Sequence, residues 1–207
     1  LTQTEAQSVF DSWGGTLRAL CGGGFISYEA RQKRAFRLNP PFTPMSAADA
    51  QKEIARRYFT YYGPASLKDA AYYFCKPQIR VRDMLSLPLQ KATVNGTDYF
   101  YAGALPQNPP EIPRCLFLAG FDQLLMGYDK KDNPVLSREH TQKIFIRTGI
   151  VMPSLLIDGT TAAVWKKEKN SLKLRVLRPF SPAEKSAAKE TAEKLFPSVQ
   201  KIGFEDY

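Results

Sequence analysis

Midway along the chain, apolar residues recur first at helical spacing and then in short extended runs. One face of a predicted short helix collects the side chains of Leu67, Ala70, Ala71 and Phe74. A second helix is predicted over 78–85. Two strand-like runs, 90–94 and 99–102, then flank Asn95-Gly96, a dipeptide that favours a β-hairpin because both residues tolerate positive φ. Helix, turn, helix and hairpin in this order predict a winged helix-turn-helix.

The preceding segment repeats the second half of this pattern. A helix over 13–20 is followed by two strand-like runs, 25–30 and 34–38, and Arg31-Gln32-Lys33-Arg34 lies at the tip between them. This order predicts a recognition-type helix and a wing. The first helix of such a unit is missing, so we expect a fragment of a longer protein. The helix over 47–61 is expected to face its core with Ala50, Ile54, Ala55, Tyr58 and Tyr61.

The last part of the chain has a different pattern. Proline-rich segments at 39–44 and 105–114 read as linkers. Beyond the second one, strands are predicted over 115–119, 151–156, 160–165, 172–177 and 199–204. Ser181 and Pro182 are typical of a helix N-terminus. The predicted class is α+β: tandem winged helix-turn-helix units, the first incomplete, and a small β-rich barrel or sheet with one packing helix. The predicted domains are 1–38, 47–104 and 115–207.

The charge of the chain indicates which class of partner it binds. The 207 residues carry a net charge of +9, and the excess is spread along the chain instead of being confined to a tail. A polyanion contacted along a broad surface fits this distribution, and double-stranded DNA is the expected partner. A basic protein without a nucleic-acid partner is the alternative. No apolar run is long enough for a membrane span, no signal peptide is visible, and three widely spaced cysteines suit reduced thiols, so we expect a cytoplasmic location.

Candidate DNA contacts lie in three places. In the wing, cations at the tip are suited to backbone phosphates, although a solvated turn is the alternative. On the predicted recognition helices, Arg and Gln can pair with base edges, or can merely keep the helix surface soluble. A third basic group follows the proline-rich linker. The candidates are Arg18, Arg31, Lys33, Arg34, Gln78, Arg80, Arg82, Lys130, Lys131, Arg138 and His140.

Two further residues, Asp122 and His140, each have more than one possible role. Asp122 lies inside an apolar segment, where a carboxylate is costly unless it is hydrogen-bonded. It either accepts backbone N–H groups to fix the loop or orients a water or sugar during glycosidic cleavage, and the structural role is favoured. His140 is the only histidine, so it cannot build a metal site alone, and exposure is the favoured interpretation. No metal or cofactor is expected, because no zinc spacing or Gly-rich phosphate loop occurs.

Three stretches resemble a known family when taken in order: ARRYFTYYGPASLKDAAYYF at 55–74, FLAGFDQLLMGYDKKD at 117–132 and VMPSLLIDGTTAAVWK at 151–166. They are similar to the winged helix DNA-binding proteins of the AlkZ/YcaQ-like DNA glycosylase family. The resemblance implies tandem winged helices, a C-terminal β-rich domain and base excision from alkylated DNA. It also matches Asp122 to an Asp of the family.

The same resemblance leaves the chemistry open. Glycosylase members carry Gln-x-Gln or Gln-x-Asp in an N-terminal region, and this sequence contains neither spacing. No catalytic residue is therefore assigned, and the active site is expected in a region before Leu1. A non-enzymatic winged helix regulator or scaffold is the competing class, and a small-molecule site in the β-rich domain is a third.

Overall fold

A computed structural model of the chain describes residues 15–29, 35–84 and 86–207, together with the single positions 2, 4, 7 and 9. The chain divides into two compact units, Leu1–Ala47 and Ala48–Tyr207. Each unit is built around its own elements.

The first unit contains helix α1 (Gly15–Gly22) and an antiparallel pair, β1 (Ile26–Tyr28) and β2 (Phe36–Leu38). Both strands fall within the runs that alternation predicts. Asn39 closes the pair, because its side-chain amide donates to the Gly24 carbonyl at 2.8 Å and its Oδ1 accepts from the Ser27 hydroxyl at 2.5 Å. The ribbon expected here is thus present, although its tip lies outside the described residues.

The second unit opens with three helices and a small sheet. Helix α2 (Ala47–Tyr61) leads through a short strand β3 (Ala65–Ser66) into α3 (Leu67–Tyr73) and α4 (Gln78–Met84). The hairpin β4 (Gln90–Val94) and β5 (Thr97–Tyr101) turns through Asn95 and Gly96, both at positive φ as the dipeptide requires. The sheet has the order β3-β5-β4, and its strand β3 was not foreseen from the sequence.

The core of this part lies under α2 and α3. Tyr58 and Phe59 are almost completely buried, in a cluster with Ala65, Ala70 and Val81. The predicted inward face of α2 is correct at Ala55 and Tyr58 but wrong at Ile54 and Tyr61. Ile54 is 50% exposed and Tyr61 79% exposed, because the inward face runs through Ala55, Tyr58, Phe59 and Tyr62 instead.

The remainder forms a five-stranded sheet in the order β10-β9-β8-β7-β6. Its strands are β6 (Cys115–Leu118), β7 (Ser154–Ile157), β8 (Thr160–Glu168), β9 (Ser171–Val176) and β10 (Lys201–Asp206). Neighbouring strands run antiparallel, except that β10 is parallel to β9. The order has two open ends, so the predicted β-rich part is a sheet and not a barrel.

Helices cover both faces of this sheet. Leu155 of β7 packs into a cluster with Ala188 of α7 (Pro182–Leu195), whereas its neighbour Leu156 joins a cluster on the other face. That second cluster includes side chains of α5 (Gln123–Met126) and α6 (Thr141–Ile144), and a 3-10 turn (Arg138–His140) leads directly into α6. Since β7 is buried on both sides, three consecutive apolar residues follow Ser154 in it, without alternation.

Helix α7 begins as its sequence predicts. Ser181 accepts the Glu184 N–H and the Glu184 carboxylate accepts the Ser181 N–H at 2.7 Å, which is a capping box, and Pro182 follows at the first helical position. The fold is thus mixed α+β, as expected. In the part of the chain that the structure describes, no helix combines the length and apolar character needed to cross a membrane.

Candidate nucleic-acid interface

One buried carboxylate joins helix α3 to the loop after α5. Asp69 accepts the Ser66 N–H at 2.9 Å and the Ser66 hydroxyl at 2.6 Å, and Ser66 accepts the Asp69 N–H in return. The other carboxylate oxygen accepts the backbone N–H of Asp129 at 3.0 Å. Asp69 therefore completes a capping box and also fixes the start of the loop 129–132.

Two tyrosine hydroxyls also connect α2 and its end to the segment just before this loop. The Tyr58 hydroxyl donates to the Gly127 carbonyl at 2.8 Å, and the Tyr128 hydroxyl donates to the Tyr62 carbonyl at 2.9 Å. Burial is the main cause that raises the pKa of both phenols, so both remain neutral donors. The segment that enters the loop is thus held against the end of α2.

This loop carries a cluster of cations. Together with α3 and the 3-10 turn it encloses an open cavity of about 400 Å³. Four cationic side chains and a single carboxylate line that cavity: Lys68, Lys130, Lys131, Arg138 and Asp132. We call this site the cationic cavity. Its excess of positive charge suits an anion.

Asp132 organises two of these cations. Lys68 and Arg138 both donate to its carboxylate, and Arg138 Nε also donates to the Lys131 carbonyl at 3.0 Å. The hydrogen bond from Lys68, followed by that from Arg138, lowers the pKa of Asp132, and the bond to Asp132 raises the pKa of Lys68. Within the described ranges, the side chains of Lys130 and Lys131 enter no ion pair, so they are available to a ligand.

A second cavity of about 590 Å³ adjoins the first, and Lys68 and Asp132 line both. Its other walls come from the N-terminus of α4, where Gln78 lies, and from the hairpin residues Gly96 and Thr97. The cationic cavity is therefore continuous with the groove between a helix and a hairpin.

The structure brings together part of the predicted set. Lys130, Lys131 and Arg138 line the cationic cavity, and Gln78 lines its neighbour. Arg80 and Arg82 are exposed on α4 but line neither cavity, and they lie on either side of the buried Val81.

Four further candidates belong to the first unit. Arg18 is exposed on α1. The three wing-tip cations, Arg31, Lys33 and Arg34, lie outside the described residues.

The expected exposure of His140 is wrong. This residue is 9% exposed, and its Nδ1 has no hydrogen-bond partner within the described residues. His140 lies one turn before Ile144, whose side chain is completely buried, and shares its inward-facing side. It is therefore removed from the surface that Arg138 occupies.

Asp122 has a defined structural contact. It is the N-cap of α5, and its Oδ1 accepts the backbone N–H of Leu124 at 2.9 Å. This is the first of the two roles that the sequence left open.

Lys68 was missed from the sequence. Lys68 lies on the outward face of its helix, and its ion pairs with Asp129 and Asp132 span about sixty residues of sequence, so no local pattern indicates them.

A surface lined with cations is suited to binding a polyanion. The chain belongs to the DNA glycosylase AlkZ-like family, whose sequence profile matches residues 12–196. This match covers both compact units.

Individual relatives agree with that assignment. The chain is 25% identical to the interstrand DNA cross-link repair glycosylase of Streptomyces sahachiroi over 195 residues, which is 86% of this chain and 52% of the relative. It also superimposes on the structure of Streptomyces sahachiroi DNA glycosylase AlkZ with a TM-score of 0.72, at 21% identity, over 99% of this chain and 60% of the other. The likeness shows the fold, and the chain spans about half the length of the curated relative.

Proposed function

We propose that this chain binds double-stranded DNA and serves base excision in DNA repair, with the cationic cavity against the phosphate backbone. The observation that carries the proposal is the cationic cavity, whose four cations lie beside the groove between α4 and the hairpin. Phosphate contacts supply most non-specific affinity for DNA, and among the described residues the Asp132 carboxylate pairs with Lys68 and Arg138 and not with Lys130 or Lys131.

The helices and hairpin beside that cavity suit a winged helix-turn-helix module, which we place at 47–104. In such a module the second helix of the turn reads a groove, and the wing lies against the backbone. Gln78 stands at the first position of α4, and the hairpin turn Asn95-Gly96 forms the wing tip. The first unit supports a second wing through β1 and β2, and 115–207 is the third domain of the proposal.

The reaction proposed for the whole protein is removal of alkylated bases, by analogy with the family and with the cross-link repair activity in the relative's name. No residue of this chain is assigned to the bond-breaking step, because the Gln-x-Gln and Gln-x-Asp spacings are absent from it. This chain holds and positions the DNA.

Removing two backbone contacts tests the interface. For K130Q/K131Q we expect about tenfold weaker binding to a duplex oligonucleotide, and a plot of log affinity against log salt that is shallower by about 2. Fluorescence anisotropy over a series of salt concentrations measures both quantities. The backbone N–H of Lys131, which donates to Asp129, is retained in the variant.

The matched control is K185Q/K189Q. It removes the same charge from α7, where both ammonium groups lie over the ring of Phe204. Binding and salt dependence are expected to stay near the wild-type values. Equal losses in the two double variants would show that only the overall charge matters and would contradict the proposed interface.

A further inference from the structure

An apolar cavity of about 660 Å³ lies beside the cationic one and has no part in the proposed backbone contacts. It is enclosed by the turn between α3 and α4, by the segment around α5, and by the chain between α6 and β7. Aromatic and thioether groups dominate its walls, among them Tyr73, Phe121, Met126 and Phe145. Flat apolar ligands fit such walls.

Phe121 is held at the mouth of this cavity in an unusual way. Its φ is +58°, in the left-handed region that non-glycine residues rarely occupy, and its side chain is 49% exposed. Two neighbouring contacts keep it there: its N–H donates to the Val151 carbonyl at 3.1 Å, and the next residue, Asp122, caps α5. A backbone fixed in a rare conformation presents a large apolar ring to solvent, which is typical of a functional position.

The two cavities adjoin, since Phe145 lines both. The four cations line one of these cavities, and Phe121 and the other apolar walls line the second. An anion-binding part next to a flat apolar part matches a nucleotide, whose phosphate is charged and whose base offers an apolar face to aromatic rings.

We propose that the two cavities together hold one unpaired nucleotide of DNA, with its base on Phe121 and Tyr73 and its phosphate on Lys130 and Lys131. This inference rests on the proposed DNA-binding function and adds to it a preference for DNA with a base out of the stack. The nucleotide is held there and not cut. Charge complementarity selects this occupant over an apolar peptide, because the cations border the apolar walls.

The experiment compares two duplexes of equal length, one fully paired and one with a single unpaired 2-aminopurine. Wild-type protein is expected to bind the second duplex at least about fivefold more tightly and to quench its fluorescence by stacking. F121L keeps an apolar side chain at this position but removes the aromatic face. We expect it to lose the preference and the quenching while its affinity for the paired duplex is unchanged.

The control is Y61L, which removes an aromatic ring that is 79% exposed on α2 and lines neither cavity. It should keep the preference for the unpaired nucleotide. Circular dichroism of each variant reports folding, and the quenching by wild-type protein is a readout that needs no variant.

The possible failures are distinguishable. Absence of binding to either duplex overturns the proposed function itself. Equal binding of the two duplexes without quenching, or a preference that F121L retains, overturns this inference and leaves the backbone interface standing. If wild-type protein quenches the free 2-aminopurine nucleotide as strongly as it quenches the duplex, the cavity is a mononucleotide site. That result also overturns the proposal for DNA.

Discussion

Replacing Gly63 with alanine is expected to lower the free energy of unfolding by about 3 kcal/mol. A Cβ at this position would lie 2.3 Å from the Phe59 carbonyl oxygen and 2.8 Å from Tyr101 Cβ. Neither neighbour can move freely, because the same carbonyl accepts the Ala102 N–H at 3.0 Å and Tyr101 lies in strand β5. The clash would therefore separate α2 from the hairpin. Urea denaturation followed by circular dichroism measures the loss.

Gly203→Ala provides the matched control. No heavy atom lies within 4 Å of the Cβ that this change adds in β10, so stability should change by less than about 0.5 kcal/mol. If the two variants have the same denaturation midpoint, the close approach of α2 to β5 is not present in the protein.

Asp69→Ala is expected to cost about 3 kcal/mol as well, for a different reason. The change leaves the buried backbone N–H of Ser66 and the part-buried backbone N–H of Asp129 without their acceptor. It also frees the loop 129–132, so DNA affinity should fall together with stability. Thermal unfolding and duplex binding, measured on the same preparation, report the two effects.

Glu184→Ala removes the corresponding acid of the capping box at α7. Its carboxylate holds only its own cap and Arg178, and no distant loop, so a smaller loss of stability and no loss of DNA binding are expected. Duplex affinity that stays at the wild-type level in a folded Asp69→Ala protein would contradict the role of this residue in positioning the cationic cavity.

Local signals in the sequence account for most of the elements. Ser66 and Ser181 mark helix starts through their own side chains, and Asn95-Gly96 marks the hairpin turn, so these features depend on a few adjacent residues. On α2 the prediction is correct for Ala55 and wrong for Ile54, because both residues fit helical spacing. Only the packing of Tyr58 and Phe59 decides which side faces inward.

The candidate site was foreseen in part for the same reason. Lys130, Lys131 and Arg138 belong to one basic segment, which composition alone picks out. The partnership of Lys68 with Asp132 depends on chain segments that are distant in sequence. The burial of His140 follows from the turn into α6, which no short motif specifies, and Phe121 takes its position from the Val151 carbonyl on another segment.

Hydrogen–deuterium exchange of the chain, with and without a duplex oligonucleotide at low salt, tests the central claim most directly. If the cationic cavity meets the phosphate backbone, exchange slows in 66–72 and 129–142 and at the hairpin turn 95–97, while α7 and β10 are unchanged. Slowed exchange confined to α7 and β10, with 129–142 unaffected, would place the DNA on another face and contradict the account.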